Sequence, residues 1–123
     1  MKRGEIRTAS GGDHAGKPRP VVIVQDDRFD ATASITICPL TTDPTDAPLF
    51  RPLIEPGAAN GLHTASRLMA DKITTVPKAR LGQRLGELDD AATRRLDRAM
   101  LVFPGLARKL GMGASKTGYY PST

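Results

Sequence analysis

The chain has 123 residues, 39% hydrophobic and 25% charged, enough for one packed domain and too short for two. Lys and Arg number 18 against 13 Asp and Glu, and this formal charge of +5 favours a polyanionic partner, either nucleic acid or an acidic protein segment. One Cys excludes an internal disulfide and a Cys-based zinc cage; with no apolar run near the ~18 residues of a membrane span and no signal-peptide stretch after Met1, a soluble cytoplasmic domain is expected.

Residues 5–9 read as a short opening strand. Residues 10–18 form the longest loop, where Gly11, Gly12 and Gly16 permit backbone angles closed to other residues. Pro20-Val21-Val22-Ile23-Val24 is a continuous apolar run, too short for a helix and suited to a strand covered on both faces. Residues 35–40 alternate more, and Pro39 predicts an edge or strand-end position. After a loop at 41–48, residues 49–54 are expected to form a strand interrupted by Pro52. A second loop, 55–61, precedes short strands at 66–70, 73–76 and 84–88. Asp89 or Asp90 caps a helix with Leu96, Ala99, Met100 and Phe103 on its buried stripe and Arg94, Arg95 and Arg98 toward solvent. Pro104-Gly105 stops it. The fold class is α+β: a small antiparallel β-barrel or sheet with short helices and a C-terminal helix, spanning 1–107, followed by a flexible basic tail at 108–123.

Three places carry candidate chemistry. Prolines on both sides of Arg19 restrict its backbone at a strand end, where a guanidinium can hold a phosphate through two parallel hydrogen bonds. Thr41 and Thr42 follow the next strand, where a hydroxyl can bond a phosphate oxygen or serve as a turn or cap group. Arg67 and Lys72 add positive charge to a third, half-exposed segment. Cys38, within a strand, reads as a small buried hydrophobe.

Together these segments carry a resemblance. Arg3-Gly4-Glu5-Ile6, then Gly16-Lys17-Pro18-Arg19-Pro20 before a Val/Ile run, then Pro39-Leu40-Thr41-Thr42, resemble the MazF/PemK/Kid family of toxin endoribonucleases. Lys72-Ile73-Thr74-Thr75-Val76, Ala79-Arg80-Leu81 and Leu85-Gly86-Glu87-Leu88 with the capped helix continue the match from residue 3 to about 107. The resemblance implies an SH3-like barrel, a homodimer, and cleavage of single-stranded RNA without metal or other cofactor. In that chemistry the ribose 2′-hydroxyl attacks the adjacent phosphate and leaves 2′,3′-cyclic phosphate and 5′-hydroxyl ends. The family's catalytic arginine and threonine fall on Arg19 and Thr41, with His14, Lys17, Arg28, Thr42, Arg67 and Lys72 on substrate. The implied partner is a cognate antitoxin with an acidic, disordered segment, which also confers DNA binding on the pair.

The chain departs from the family pattern in places. His14 stands where many relatives carry an acidic residue, Met69 where some carry an aspartate, and Arg7 where a Trp is usual. The acid–base role of that aspartate is therefore not carried over: either Arg19 with Thr41 suffices, or His14 substitutes. Since an arginine is a poor general base, the acceptor of the 2′-hydroxyl proton stays open. Two other readings compete, a non-enzymatic gyrase poison like CcdB on the same fold and a nucleic-acid-binding regulator without catalysis. Aromatics are only 4% of the chain, so RNA binding would rest on phosphate contacts more than stacking. RNA affinity is expected to fall steeply between ~50 and ~200 mM salt in a filter-binding titration, and a flat response would count against it.

Overall fold

The computed structural model describes residues 1–11 and 17–106, so His14 and the expected tail at 108–123 lie outside the described residues. Within them the chain forms β1 (Glu5–Ala9), β2 (Arg19–Ile23), β3 (Ser34–Thr41), β4 (Leu53–Ile54), β5 (Ser66–Leu68), β6 (Thr74–Pro77), β7 (Leu81–Glu87) and α1 (Asp90–Val102). Single 3-10 turns occupy Asp27–Phe29, Ala70–Lys72 and Lys78–Arg80. All pairings are antiparallel, in the order β4-β5-β3-β2-β1-β7, with β6 also beside β3.

The connection from β6 to β7 forces the sheet to curl. Between them lie β3, β2 and β1, which in a flat sheet would hold them roughly 19 Å apart. The chain bridges them with the three residues Lys78–Arg80, a 3-10 turn that spans only about 6 Å. The sheet therefore bends into a half-barrel, as the α+β barrel reading expected.

Alternation along the strands then builds two cores. Val22, Val24, Cys38, Leu40, Ile54 and Leu68 pack with Leu88, Ala92 and Leu96 on the helix side. Val21, Ile23, Ile35 and Ile37 pack inside the curl with Ala9, Val76, Leu81 and Met1. β2 is thus covered on both faces, as its unbroken apolar run requires. The Asp89 side chain caps α1 by accepting from Ala92 N at 2.7 Å. Arg3 ties helix to sheet, donating to Asp97 Oδ1 at 2.6 Å and to Val24 O at 3.0 Å. Loop 55–61 lies flush on β7, where Glu87 N donates to Ala59 O at 3.0 Å and a Cβ at Gly86 would sit 2.2 Å from that oxygen.

Several expectations are corrected. Pro39 is inside β3, a strand with neighbours on both sides. Its carbonyl accepts from Met69 N at 2.9 Å, so its imino nitrogen points to the same side, into the gap between β6 and β5. No ladder bond with β2 is lost, which is why proline is tolerated there. The expected strand at 49–54 shrinks to Leu53–Ile54, because Pro52 cuts it and the preceding residues turn, Arg51 N donating to Ala47 O at 2.7 Å. Phe103 is 47% exposed rather than core: it stands at the end of α1, tilted against Phe50 with ring centroids 5.2 Å apart, while Val102 takes the buried position. Leu96→Ala is therefore expected to lower the urea unfolding free energy by about 3 kcal/mol, and Phe103→Ala by about 1 kcal/mol or less, since it opens no enclosed cavity.

Candidate functional site

The strand registers assemble the candidate residues. β2 pairs with β3 at Val21↔Pro39, Val22↔Cys38 and Ile23↔Ile37. The same register continued by two residues sets Arg19, the first residue of β2, opposite Thr41, the last of β3. β5 then pairs Thr41 with Arg67, and β4 pairs Arg67 with Leu53. Directly opposed residues present their side chains on one face of a sheet, with neighbouring strands about 4.8 Å apart. Arg19, Thr41 and Arg67 therefore form a row across three strands. Because Leu40 and Leu68 point into the helix-side core, Thr41 and Arg67 point the other way, onto the face that α1 leaves open.

Local bonding prepares these groups. Thr41 Oγ1 accepts from Asp43 N at 3.1 Å, the turn chemistry expected of a threonine after a strand. That bond occupies a lone pair and leaves the hydroxyl proton free to donate. Asp43 Oδ1 accepts from Thr45 Oγ1 at 2.9 Å and Thr45 N at 3.0 Å, and the Thr45 hydroxyl and amide hold the Asp43 carboxyl below its usual range. Arg67 Nη1 donates to Arg51 O at 3.4 Å. Arg19 is exposed and forms no ion pair among the described residues.

Of the other expected substrate contacts, Lys17 is exposed two residues before Arg19, and Thr42 is exposed just past Thr41. Lys72 is exposed at the end of the turn Ala70–Lys72, which follows β5 and packs on β3. Arg28 is not brought to the row. It lies beyond the opposite end of β2, roughly 17 Å of strand away, bonded to Asp26 at 3.2 Å and stacked over Phe29 with 5.4 Å to the ring centroid. Arg7, opposite Val21, is occupied by Glu5 Oε1 at 2.9 Å and Gly82 O at 3.1 Å. Burial pushes the Glu5 carboxyl up, but the bonds and charges of Arg7 and Arg84 outweigh it and hold it low. The Cys38 thiol is fully buried and pushed up to about 12, mainly by loss of solvent, so it is an inert core group.

One feature of the site escaped the sequence reading. Arg51 and Asp71 form a two-pronged ion pair, Nε–Oδ1 at 2.9 Å and Nη2–Oδ2 at 2.8 Å. Its only sequence signal was the dipeptide Arg51-Pro52, which repeats Arg19-Pro20. A cleft of about 350 Å³ between β4 and the start of α1, bordered by Ile54, Leu88, Asp89 and Ala92, lies on the helix side and not at the row. Among the described residues no three His, Cys, Asp or Glu side chains come together as metal ligands. The row can hold an anion between two guanidiniums with a hydroxyl donor at its centre, which suits a phosphodiester.

Comparison with known proteins identifies similar chains and folds. Residues 2–103 match the family described as PemK-like, MazF-like toxin of type II toxin–antitoxin systems. A Mycolicibacterium smegmatis protein named "Probable endoribonuclease MazF" is 58% identical over 108 residues, 87% of this chain and 99% of that protein. A solved mycobacterial endoribonuclease in complex with its cognate antitoxin is 27% identical with a TM-score of 0.65, covering 93% of this chain and 98% of that one. The Mycobacterium tuberculosis toxin MazF-mt6, at 22% identity and a TM-score of 0.67, shares the fold over 89% of this chain and 99% of its own.

The ion pair beside the row has a pH signature. The hydrogen bond from Arg51 holds the Asp71 carboxyl below its ordinary 3.8. A carboxylate lowered in the folded state adds stability above its unfolded pKa and loses it as pH falls through the folded one. Asp71→Asn is expected to be less stable than the unchanged chain by about 2 kcal/mol at pH 7, with the difference closing below about pH 4 in urea titrations.

Proposed function

The chain belongs to the PemK-like, MazF-like toxin family of type II toxin–antitoxin systems, and on that footing we propose that it is an endoribonuclease toxin cleaving single-stranded RNA at short sequence motifs. What supports this reading is the row: Arg67 paired with Thr41, and Arg19 set opposite Thr41 when the β2–β3 register is continued by two residues. The names of the similar proteins support the activity, among them the M. smegmatis relative.

In the proposed reaction the ribose 2′-oxygen attacks the neighbouring phosphorus and the bond to the 5′-oxygen breaks. The products are a 2′,3′-cyclic phosphate and a 5′-hydroxyl. Arg19 stabilises the charge that grows on the phosphorane and hydrogen-bonds the departing oxygen. Thr41, its oxygen already accepting from Asp43 N, donates a hydrogen bond to a non-bridging oxygen. Arg67, Lys72, Lys17 and Thr42 hold adjoining phosphates. The imidazole of His14, five residues before Arg19 in the chain, accepts the 2′-hydroxyl proton, and the 5′-oxygen held by Arg19 takes a proton from water. No metal is needed, since guanidinium and hydroxyl donors supply the charge stabilisation.

The same reading makes the chain a cytoplasmic homodimer neutralised by an acidic antitoxin segment that folds over the RNA path and binds DNA together with the toxin. The net charge of +5 favours such a partner, and the mycobacterial neighbour was solved with its cognate antitoxin. Purified protein incubated with single-stranded RNA in EDTA is expected to give cyclic-phosphate ends. Arg19→Ala should lower the rate by about 10²–10³-fold and Thr41→Val by a smaller factor, as for lost transition-state donors. RNA bound but intact, or gyrase inhibited without RNA loss, would overturn the nuclease reading.

A further inference from the structure

We propose that the Arg51–Asp71 ion pair is a positioning pair for the Arg19–Thr41–Arg67 row, an inference that rests on the nuclease reading above. The strands at this end of the sheet have little pairing of their own. β4 meets β5 at only two residue pairs, and β5 meets β3 at only two. Single main-chain bonds supplement them: Ala70 N to Phe50 O at 3.1 Å, Leu68 N to Pro52 O at 3.0 Å and Met69 N to Pro39 O at 2.9 Å. The ion pair is the one charged clamp across this junction among the described residues, joining Arg51 before β4 to Asp71 in the turn after β5. Its side chains are only 14% and 16% exposed, so water competes weakly and the planar fork is held in one geometry.

Arg51 reaches the row through its main chain without belonging to it. Its carbonyl accepts from Arg67 Nη1 at 3.4 Å and so orients that guanidinium. Arg67 in turn stands directly opposite Thr41 in the β5–β3 pairing. Loosening the clamp would displace a phosphate-binding guanidinium and the central hydroxyl together, and small displacements of such groups cost rate steeply.

The test compares the unchanged chain with Asp71→Asn and Arg51→Lys, the latter keeping the charge and losing the fork. Cleavage rate at saturating RNA is measured well below each melting temperature, alongside affinity for an RNA carrying 2′-deoxyribose at the scissile nucleotide. The expected result is a rate loss of about 10–100-fold with a clearly smaller loss of affinity, because Arg67 is displaced and not removed. Undiminished rates in folded variants would make the pair purely structural and overturn the inference. So would equal losses in rate and affinity, which would make Arg51 a direct RNA contact. If the single variants do not fold, Arg51→Met with Asp71→Leu removes both charges at once and is read by the same two outcomes. An unchanged chain that leaves RNA intact overturns the nuclease reading itself, a result separate from uniform cleavage by all variants, which overturns only the positioning role.

Discussion

Everything at the site depends on the registration of β2 against β3. β2 sends Val22 into the helix-side core, with Val24 just beyond its end, and Val21 and Ile23 into the curl. A slip of one residue would exchange the two faces. Each of these side chains contributes about 1.5–3 kcal/mol when buried, and the β3 residues facing them are equally committed. The position of Arg19 relative to Thr41 is therefore set by apolar side chains two to five residues away, and the polar ends of both strands follow.

The curl and the helix divide the labour of the two faces. The short bridge from β6 to β7 closes the sheet enough to bury Ile23 and Ile35 completely, while α1 covers the opposite face through Ala92 and Leu96. At the β4–β5 end neither cover extends over the side that Thr41 and Arg67 occupy. A polar row can persist there because Arg19 is exposed and Thr41 and Arg67 are only half-buried.

Charge is distributed to the same effect. Most of the arginines elsewhere near the sheet are paired: Arg3 with Asp97, Arg7 and Arg84 with Glu5, Arg28 with Asp26, and Arg51 with Asp71. Asp30 takes Lys78 and the N-terminal ammonium. Arg19 and Arg67 enter no ion pair among the described residues. The excess charge that the sequence shows only as a sum is thus partly concentrated at the strand ends facing solvent, where an incoming polyanion meets it without first breaking a native pair.

Local patterns were enough to reveal the strand buried on both faces, the helix with its aspartate cap, the inert cysteine, and the Arg19 and Thr41 candidates, because apolar periodicity, capping and backbone restriction act over a few neighbouring residues. Features made by segments distant in the chain were not legible. Whether Phe103 is buried depends on where the helix ends relative to Phe50. Whether Pro39 interrupts a ladder depends on the gap between β5 and β6. Arg28, equal in type to Arg67, is carried to the far end of β2 by the direction of the chain. Arg51 and Asp71, twenty residues apart, become partners only through the antiparallel return of β4 on β5. The sequence by itself determined which residues could carry this chemistry; tertiary structure decided which of them meet, because strand register and chain direction are settled by the packing of both cores together.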